Sequence, residues 1–301
     1  MRVVFMGSPQ FAVPSLEALM SSKHEVVAII SQPDRPVGRG GKVQFSPVKE
    51  FGLKHRIPVL QPERISKEVE VLGPYKPDIL VTCAYGQMLR QNVLDFAPHG
   101  VINVHGSLLP KYRGASPIQR AIINGEAKTG VTIMRTDIGM DTGDMILWES
   151  LDIREDETSG ELFPRMAQLG AQLLIEALDL IEMGEAKFIP QDNSQATHAP
   201  KLERSHGLID WSKSAREIVN LVRGLNPWPL AYFEHGGEII KLHKARMLSE
   251  QENPKKGSLL AKTGNGVIEL LQLQSPNSRV MSARDWLNGR KNGTPDNFYI
   301  V

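Results

Sequence analysis

The stretch Val101-Ile-Asn103-Val-His105-Gly-Ser107-Leu-Leu-Pro110 holds the residues best suited to chemistry. Its apolar, β-branched start reads as a strand, on which positions two apart share a face, so Asn103 and His105 project together. Gly106 lets the backbone turn sharply just after them. An asparagine amide can donate to an oxygen gaining negative charge. A histidine exchanges protons near neutral pH. The pair suits acyl transfer to an amine, although a buried Asn and His making ordinary hydrogen bonds would leave the same pattern. If the strand belongs to an open α/β sheet, the carboxyl end where both residues sit is where ligands bind.

A second candidate is Thr136-Asp-Ile-Gly-Met-Asp141-Thr-Gly-Asp144, a glycine-bearing loop with three acids. It could aim one carboxylate at His105, fixing the ring and favouring its charged form. A solvated turn or a cation site would look alike. Cys83 sits in the apolar run Ile79-Leu-Val-Thr-Cys83, which favours a buried thiol over a nucleophile.

The elements that must position these residues follow from periodicity. Apolar runs at residues 3–6, 25–30, 78–83, 100–105 and 131–135 alternate with helical patterns at 9–19, 47–55 and 117–124. Such alternation predicts an α/β fold with a doubly wound, mostly parallel sheet. Residues 158–184 read as a long helix opened by a Thr158/Glu161 capping box. Residues 190–208 are polar and aperiodic, as a linker is. A helix over 214–225 and strands at 231–234, 238–245, 258–262 and 267–272 then predict a small β-barrel domain. The expected organisation is a catalytic domain 1–189, a linker 190–208 and a barrel domain 209–301.

Composition narrows the class. Of 301 residues, 41% are hydrophobic and 23% charged, enough to build a core without disulfides. A single cysteine excludes an internal disulfide and a thiolate zinc cluster, and favours a reducing, cytoplasmic setting. No apolar stretch is long enough to span a membrane. Net charge is +1, split as +4 over residues 190–301 and −3 over 1–189, a mildly basic C-terminal part. Neither a dinucleotide fingerprint, a Walker loop nor a serine elbow is present.

The 103–110 motif followed by Asp141 resembles the 10-formyltetrahydrofolate-dependent formyltransferase family, and the likeness covers essentially the whole chain. The resemblance implies that Asn103, His105 and Asp141 form the catalytic set. It implies that Ser107, Leu108, Leu109 and Pro110 help form the folate pocket, and that Gly86, Gln87 and Leu89 line the pteridine site. Met6, Ser8, Pro9 and Phe11 are expected near the aminoacyl pocket on the same ground. The formyl donor implied is 10-formyltetrahydrofolate, with no required metal.

Within the family, residues 32–42 look like the basic loop of members that act on tRNA, with Arg35, Arg39 and Lys42 suited to phosphates and bases. The segments around Lys201, Ile209-Asp-Trp211, 222–229 and 241–247 resemble the C-terminal barrel of those members, which lies along the RNA. The RNA contacts implied are Lys201, Arg204, Lys213, Lys241, Lys244 and Arg246. The expected reaction is formylation of the α-amino group of methionine on initiator methionyl-tRNA, with no DNA and no membrane involved. Three other readings stay open on residues alone: an amino-sugar formyltransferase or folate hydrolase with the same trio, a folate-binding RNA module without catalysis, and an unrelated α/β binding protein.

Overall fold

The structure is a computed structural model that describes residues 1–37, 42–249, 251–289 and 293–301. Internal contacts divide it into two units: Met1–Gly114 with Gly130–Leu151 and Phe163–His198, and Ala115–Thr129 with Asp152–Leu162 and Ala199–Val301.

The first unit is built on β1 (Arg2–Gly7), β2 (Glu25–Ile30), β3 (Arg35–Val37), β4 (Lys42–Gln44), β5 (Val59–Leu60), β6 (Ile79–Cys83), β7 (Val101–His105), β8 (Lys128–Arg135) and β9 (Met145–Asp152). Seven of them form one sheet in the order β5-β2-β1-β6-β7-β8-β9. The pairs from β5 to β7 are parallel, whereas β8 runs antiparallel to β7. The alternate residues Val3 and Phe5, and Val4 and Met6, are all fully buried. Both faces are therefore covered, which is why the strand sequences are continuous apolar runs without alternation.

The helices α1 (Val13–Met20), α2 (Pro47–Lys54) and α3 (Gln91–Leu94) fall between these strands. Ser46 caps α2 through the Lys49 N–H at 3.1 Å, and Pro47 starts it. α4 (Pro117–Ile123) comes before β8, and the long α5 (Ser159–Met183) follows β9. Thr158 and Glu161 exchange the expected cap bonds, at 2.8 and 3.3 Å. A Cβ on Gly170 of α5 would lie 2.8 Å from Val104, so this glycine lets the helix approach β7 closely.

The second unit contains α6 (Ala215–Gly224), opened by the Ser214/Glu217 capping box, and a six-stranded antiparallel sheet. Its strands are β10 (Ala231–His235), β11 (Glu238–Leu248), β12 (Leu259–Lys262), β13 (Val267–Gln274), β14 (Met281–Ser282) and β15 (Phe298–Ile300), with α7 (Ala283–Asn288) between the last two. Phe233 meets Trp211, Trp286 and Phe298 edge-to-face at 5.2–6.3 Å. Each such pair is worth about 0.5–1.5 kcal/mol beyond its buried area.

At least five elements differ from the sequence reading. β9 was not expected; it is an edge strand, largely exposed, and so lacks the continuous apolar signature. α7 and β15 are short and follow polar turns. The stretch 32–42, read as a loop, contributes to a β3/β4 ladder pairing Arg35 with Gln44 and Val37 with Lys42.

Candidate functional site

Asn103 and His105 stand at the carboxyl end of β7, beside the carboxyl end of β6. Thr82 is the register partner of Asn103, and its hydroxyl donates to Asn103 Oδ1 at 2.8 Å. The same hydroxyl lies 3.2 Å from the Ile102 carbonyl; with its one proton on Asn103 Oδ1, the amide oxygen is taken and Nδ2 is left as the donor. No described residue accepts from that nitrogen.

His105 is buried, and its Nε2 lies 3.0 Å from the carbonyl oxygen of Tyr112. A carbonyl only accepts, so Nε2 carries a proton, and Nδ1 is the nitrogen left to take up or give one. Nδ1 faces Asp141 Oδ1 at 3.7 Å. The other carboxylate oxygen of Asp141 accepts from the Gly114 N–H at 2.8 Å. The structure thus brings Asn103, His105 and Asp141 to one edge of the sheet.

The loop bearing Asp141 is tightly built. Arg135 donates its backbone N–H to Asp144 at 2.8 Å, and Asp137 Oδ1 accepts from Gly139 N–H and the Thr142 hydroxyl. A Cβ on Gly143 would fall 1.9 Å from the Arg135 carbonyl oxygen, so only glycine fits there. Asp141 itself has φ +54°, a region an L-residue occupies only when its surroundings hold it.

A cavity of about 510 Å³ lies next to this loop, lined by Leu94, Ala97, Val101, Arg135, Thr136 and Ile138, among others. The Thr136 hydroxyl is buried and bonded to none of the described residues. Val101 and His105 are the two ends of β7, four residues and so about 13 Å apart. Val101, Thr136 and Ile138 fall in the stretches singled out in the sequence, but Leu94 and Ala97 do not, because helix ends show no periodic pattern.

The other expected binding residues are placed as follows. Ser107 is buried and donates to the Lys111 carbonyl at 2.6 Å, Leu109 donates its N–H to the Thr132 hydroxyl, and Leu108 lies against Gly130. Pro110 follows a cis peptide bond. Gly86 has φ +83°, and Leu89 is buried in the core cluster. Gln87 spends its amide on the 62–65 segment, accepting from Ile65 and donating to Pro62 and Glu63. Met6 is fully buried in the core, Ser8 accepts from the Gln32 N–H, and Phe11 packs edge-on to Phe163. Cys83 is fully buried, and burial pushes its thiol up to about 12.

Of the basic arm, Arg35 is exposed; Arg39 and the side chain of Lys42 lie outside the described residues. The root of the arm is anchored where Asp34 accepts from Lys49 and, at 2.8 Å, from Gln61. Lys49 and Gln61 hold the Asp34 carboxyl below its usual range. In the second unit Lys201, Arg204, Lys213, Lys241 and Lys244 are exposed. Arg246 is instead bonded to Glu252 and Glu269.

Residues 1–178 match the formyl transferase family model, and residues 201–291 match the formyl transferase C-terminal domain. The methionyl-tRNA formyltransferase of Acetivibrio thermocellus is 47% identical over 304 residues, covering 97% of this chain and 98% of that protein. That of Alkaliphilus oremlandii is 47% identical over 302 residues, covering 96% of each. An N-formyltransferase from Helicobacter canadensis, solved with folinic acid and dTDP-3-aminofucose, superposes with a TM-score of 0.70 at 20% identity, covering 91% of this chain and 98% of that one; it shares the fold. Among the described residues, no helix is long and apolar enough to cross a membrane. The chain belongs to the formyl transferase family, among the methionyl-tRNA formyltransferases.

Proposed function

We propose that this chain transfers the formyl group of 10-formyltetrahydrofolate to the α-amino group of methionine on initiator methionyl-tRNA, the charging product used to start translation. The observation that carries this reading is the convergence of Asn103, His105 and Asp141 at the carboxyl edge of a formyl transferase sheet.

A free α-amino group has a pKa of about 7.7–8.0, and the aminoacyl ester lowers it further, so a neutral amine is available near pH 7. The amine nitrogen bonds to the formyl carbon, whose oxygen takes up the displaced electron pair. Asn103 Nδ2 donates to that oxyanion. As the oxyanion collapses, the bond from the formyl carbon to folate N10 breaks. One proton leaves the amine for His105 Nδ1 and is delivered to N10, directly or through water. Asp141 stabilises the imidazolium between these transfers; a shift of about 1 Å closes the 3.7 Å gap to a hydrogen bond. No covalent enzyme intermediate is needed, in keeping with the inert Cys83.

In this reading the cavity beside residues 136–138 takes the flat pteridine ring. Its volume suits a drug-sized heterocycle; Leu94, Ala97, Val101 and Ile138 offer apolar contact, and Gln91, Asp95, Arg135, Asp137 and the spare Thr136 hydroxyl offer polar contacts. The 107–110 turn and the 86–89 segment supply further contacts to the folate outside this cavity. The arm at residues 32–42 and the exposed lysines of domain 209–301, reached through linker 190–208, contact the RNA. The setting is cytoplasmic.

The test is turnover with 10-formyltetrahydrofolate and two substrates, initiator and elongator methionyl-tRNA. Formylation of the initiator alone is expected. Absence of formylation of either, with folate still bound, would move the acceptor to an amino sugar nucleotide or water.

A further inference from the structure

We infer that Gln191, oriented by Arg113, is a positioning residue that holds Asp141 in register with His105. Gln191 sits in a segment with no regular structure, yet it is buried. Its Nε2 donates twice, to the carbonyl oxygens of Asp141 at 2.9 Å and of Gly143 at 2.8 Å. Both bonds fall on the turn where Asp141 takes its left-handed conformation. Such a conformation persists only where the surroundings over-determine it, and these two bonds supply the restraint from outside the loop.

The amide cannot be turned the other way. Its Oε1 accepts from Arg113 Nε at 3.0 Å and from a terminal guanidinium nitrogen at 2.7 Å. A guanidinium has no acceptor, so Gln191 must show it the oxygen and keep both N–H groups for the loop. Arg113 is itself buried, and its further bond is to Asn193 Oδ1 at 2.8 Å. Among the described residues no carboxylate pairs with it. A buried charge satisfied by neutral oxygens is costly and gives strong, directional hydrogen bonds. Its position explains that expense: Tyr112, just before it, accepts from His105, and Gly114, just after it, donates to the Asp141 carboxylate. One short strap, Tyr112-Arg113-Gly114, therefore holds both side chains, and Gln191 ties the backbone of the Asp141 loop to the same strap.

The inference rests on the proposed role of Asp141 as partner of His105, and the experiment separates the two. Gln191→Glu keeps the oxygen for Arg113 but turns a second oxygen towards two carbonyls. It should lower kcat on the order of 100-fold, as a misplacement of about 1 Å does, with KM for the formyl donor and for charged tRNA within about twofold. Gln191→Met, which keeps the volume and loses all of these bonds, should show the same split should Gln191→Glu fail to fold. Asp141→Asn combined with Gln191→Glu should lose no more than Asp141→Asn alone, because both act through one group. Unchanged kcat in both Gln191 variants, or losses that multiply in the double variant, would overturn the positioning role. Full activity of Asp141→Asn would overturn the reading of Asp141 instead.

Discussion

Thr82 donates its hydroxyl to Asn103 Oδ1 across the parallel pairing of β6 and β7, so the strand register sets a hydrogen-bonding partner directly against the Asn103 amide. Thr82→Val removes that bond without changing side-chain shape. The amide can then rotate, and kcat should fall roughly 10-fold, the equivalent of one ordinary hydrogen bond. Asn103→Ala removes the donor altogether and should cost about 100- to 1,000-fold in kcat, with little change in tRNA affinity. Single-turnover rates with saturating tRNA measure both; an unaffected Asn103→Ala rate would remove this residue from the chemistry.

The cavity beside the Asp141 loop gives a separate test. Leu94→Trp fills it from the α3 side. The KM for the formyl donor should rise at least 10-fold, about the effect of one to two lost methylene-sized contacts, while the KM for charged tRNA stays constant. Equal donor KM would place the pteridine ring elsewhere.

Basic residues of the two units should behave differently. Arg35 is exposed, so Arg35→Ala should reduce the slope of log kcat/KM for tRNA against log salt by about 0.7–0.9, one phosphate contact. Exposed Lys241 and Lys244 should act likewise. Arg246 is held by Glu252 and by Glu269, itself buried. Arg246→Ala leaves the buried Glu269 carboxylate without its charged partner, with only the Ser258 hydroxyl remaining, and should cost about 1–3 kcal/mol of stability, with a smaller effect on the salt slope. Denaturation and salt titration of the same variants separate the two outcomes.

Cys83 supplies a pH test. Its ordinary value is 9.0, and burial raises it to about 12 in the folded chain. The stability linked to this thiol is complete below pH 9 and is lost as pH rises through about 12, because only the unfolded chain ionises readily in between. Cys83→Ala should flatten that part of the alkaline stability curve. At pH 8 the native protein should resist iodoacetamide, and in urea it should take up one equivalent per chain, as mass spectrometry would read.

Much of this arrangement was legible in the sequence. The runs at residues 3–6, 25–30, 78–83 and 100–105 are dominated by apolar, β-branched residues without strict alternation, and β1, β2, β6 and β7 formed there. The Thr158/Glu161 and Ser214/Glu217 patterns start helices as their side chains dictate. Thr82 carried a signal, as a lone hydroxyl in an apolar strand, but its meaning required the register with Asn103. Gln191 and Arg113 carried none: their bonds join positions 78 residues apart in a polar stretch without periodicity. The cavity is likewise assembled from a helix end, a strand start and a loop root. Edge strand β9 escaped because one-sided exposure dilutes an apolar run.

The strap formed by Tyr112, Arg113 and Gly114 bears on how the site tolerates heat. His105 lies on β7 and Asp141 on a loop far along the chain, and independent mounts would let thermal jitter add between them. Because one is bonded to Tyr112 and the other to Gly114 of a single three-residue strap, a displacement of the strap carries both in the same direction. It is a common-mode displacement, which leaves the gap between ring and carboxylate nearly constant while the pair as a whole follows the substrate.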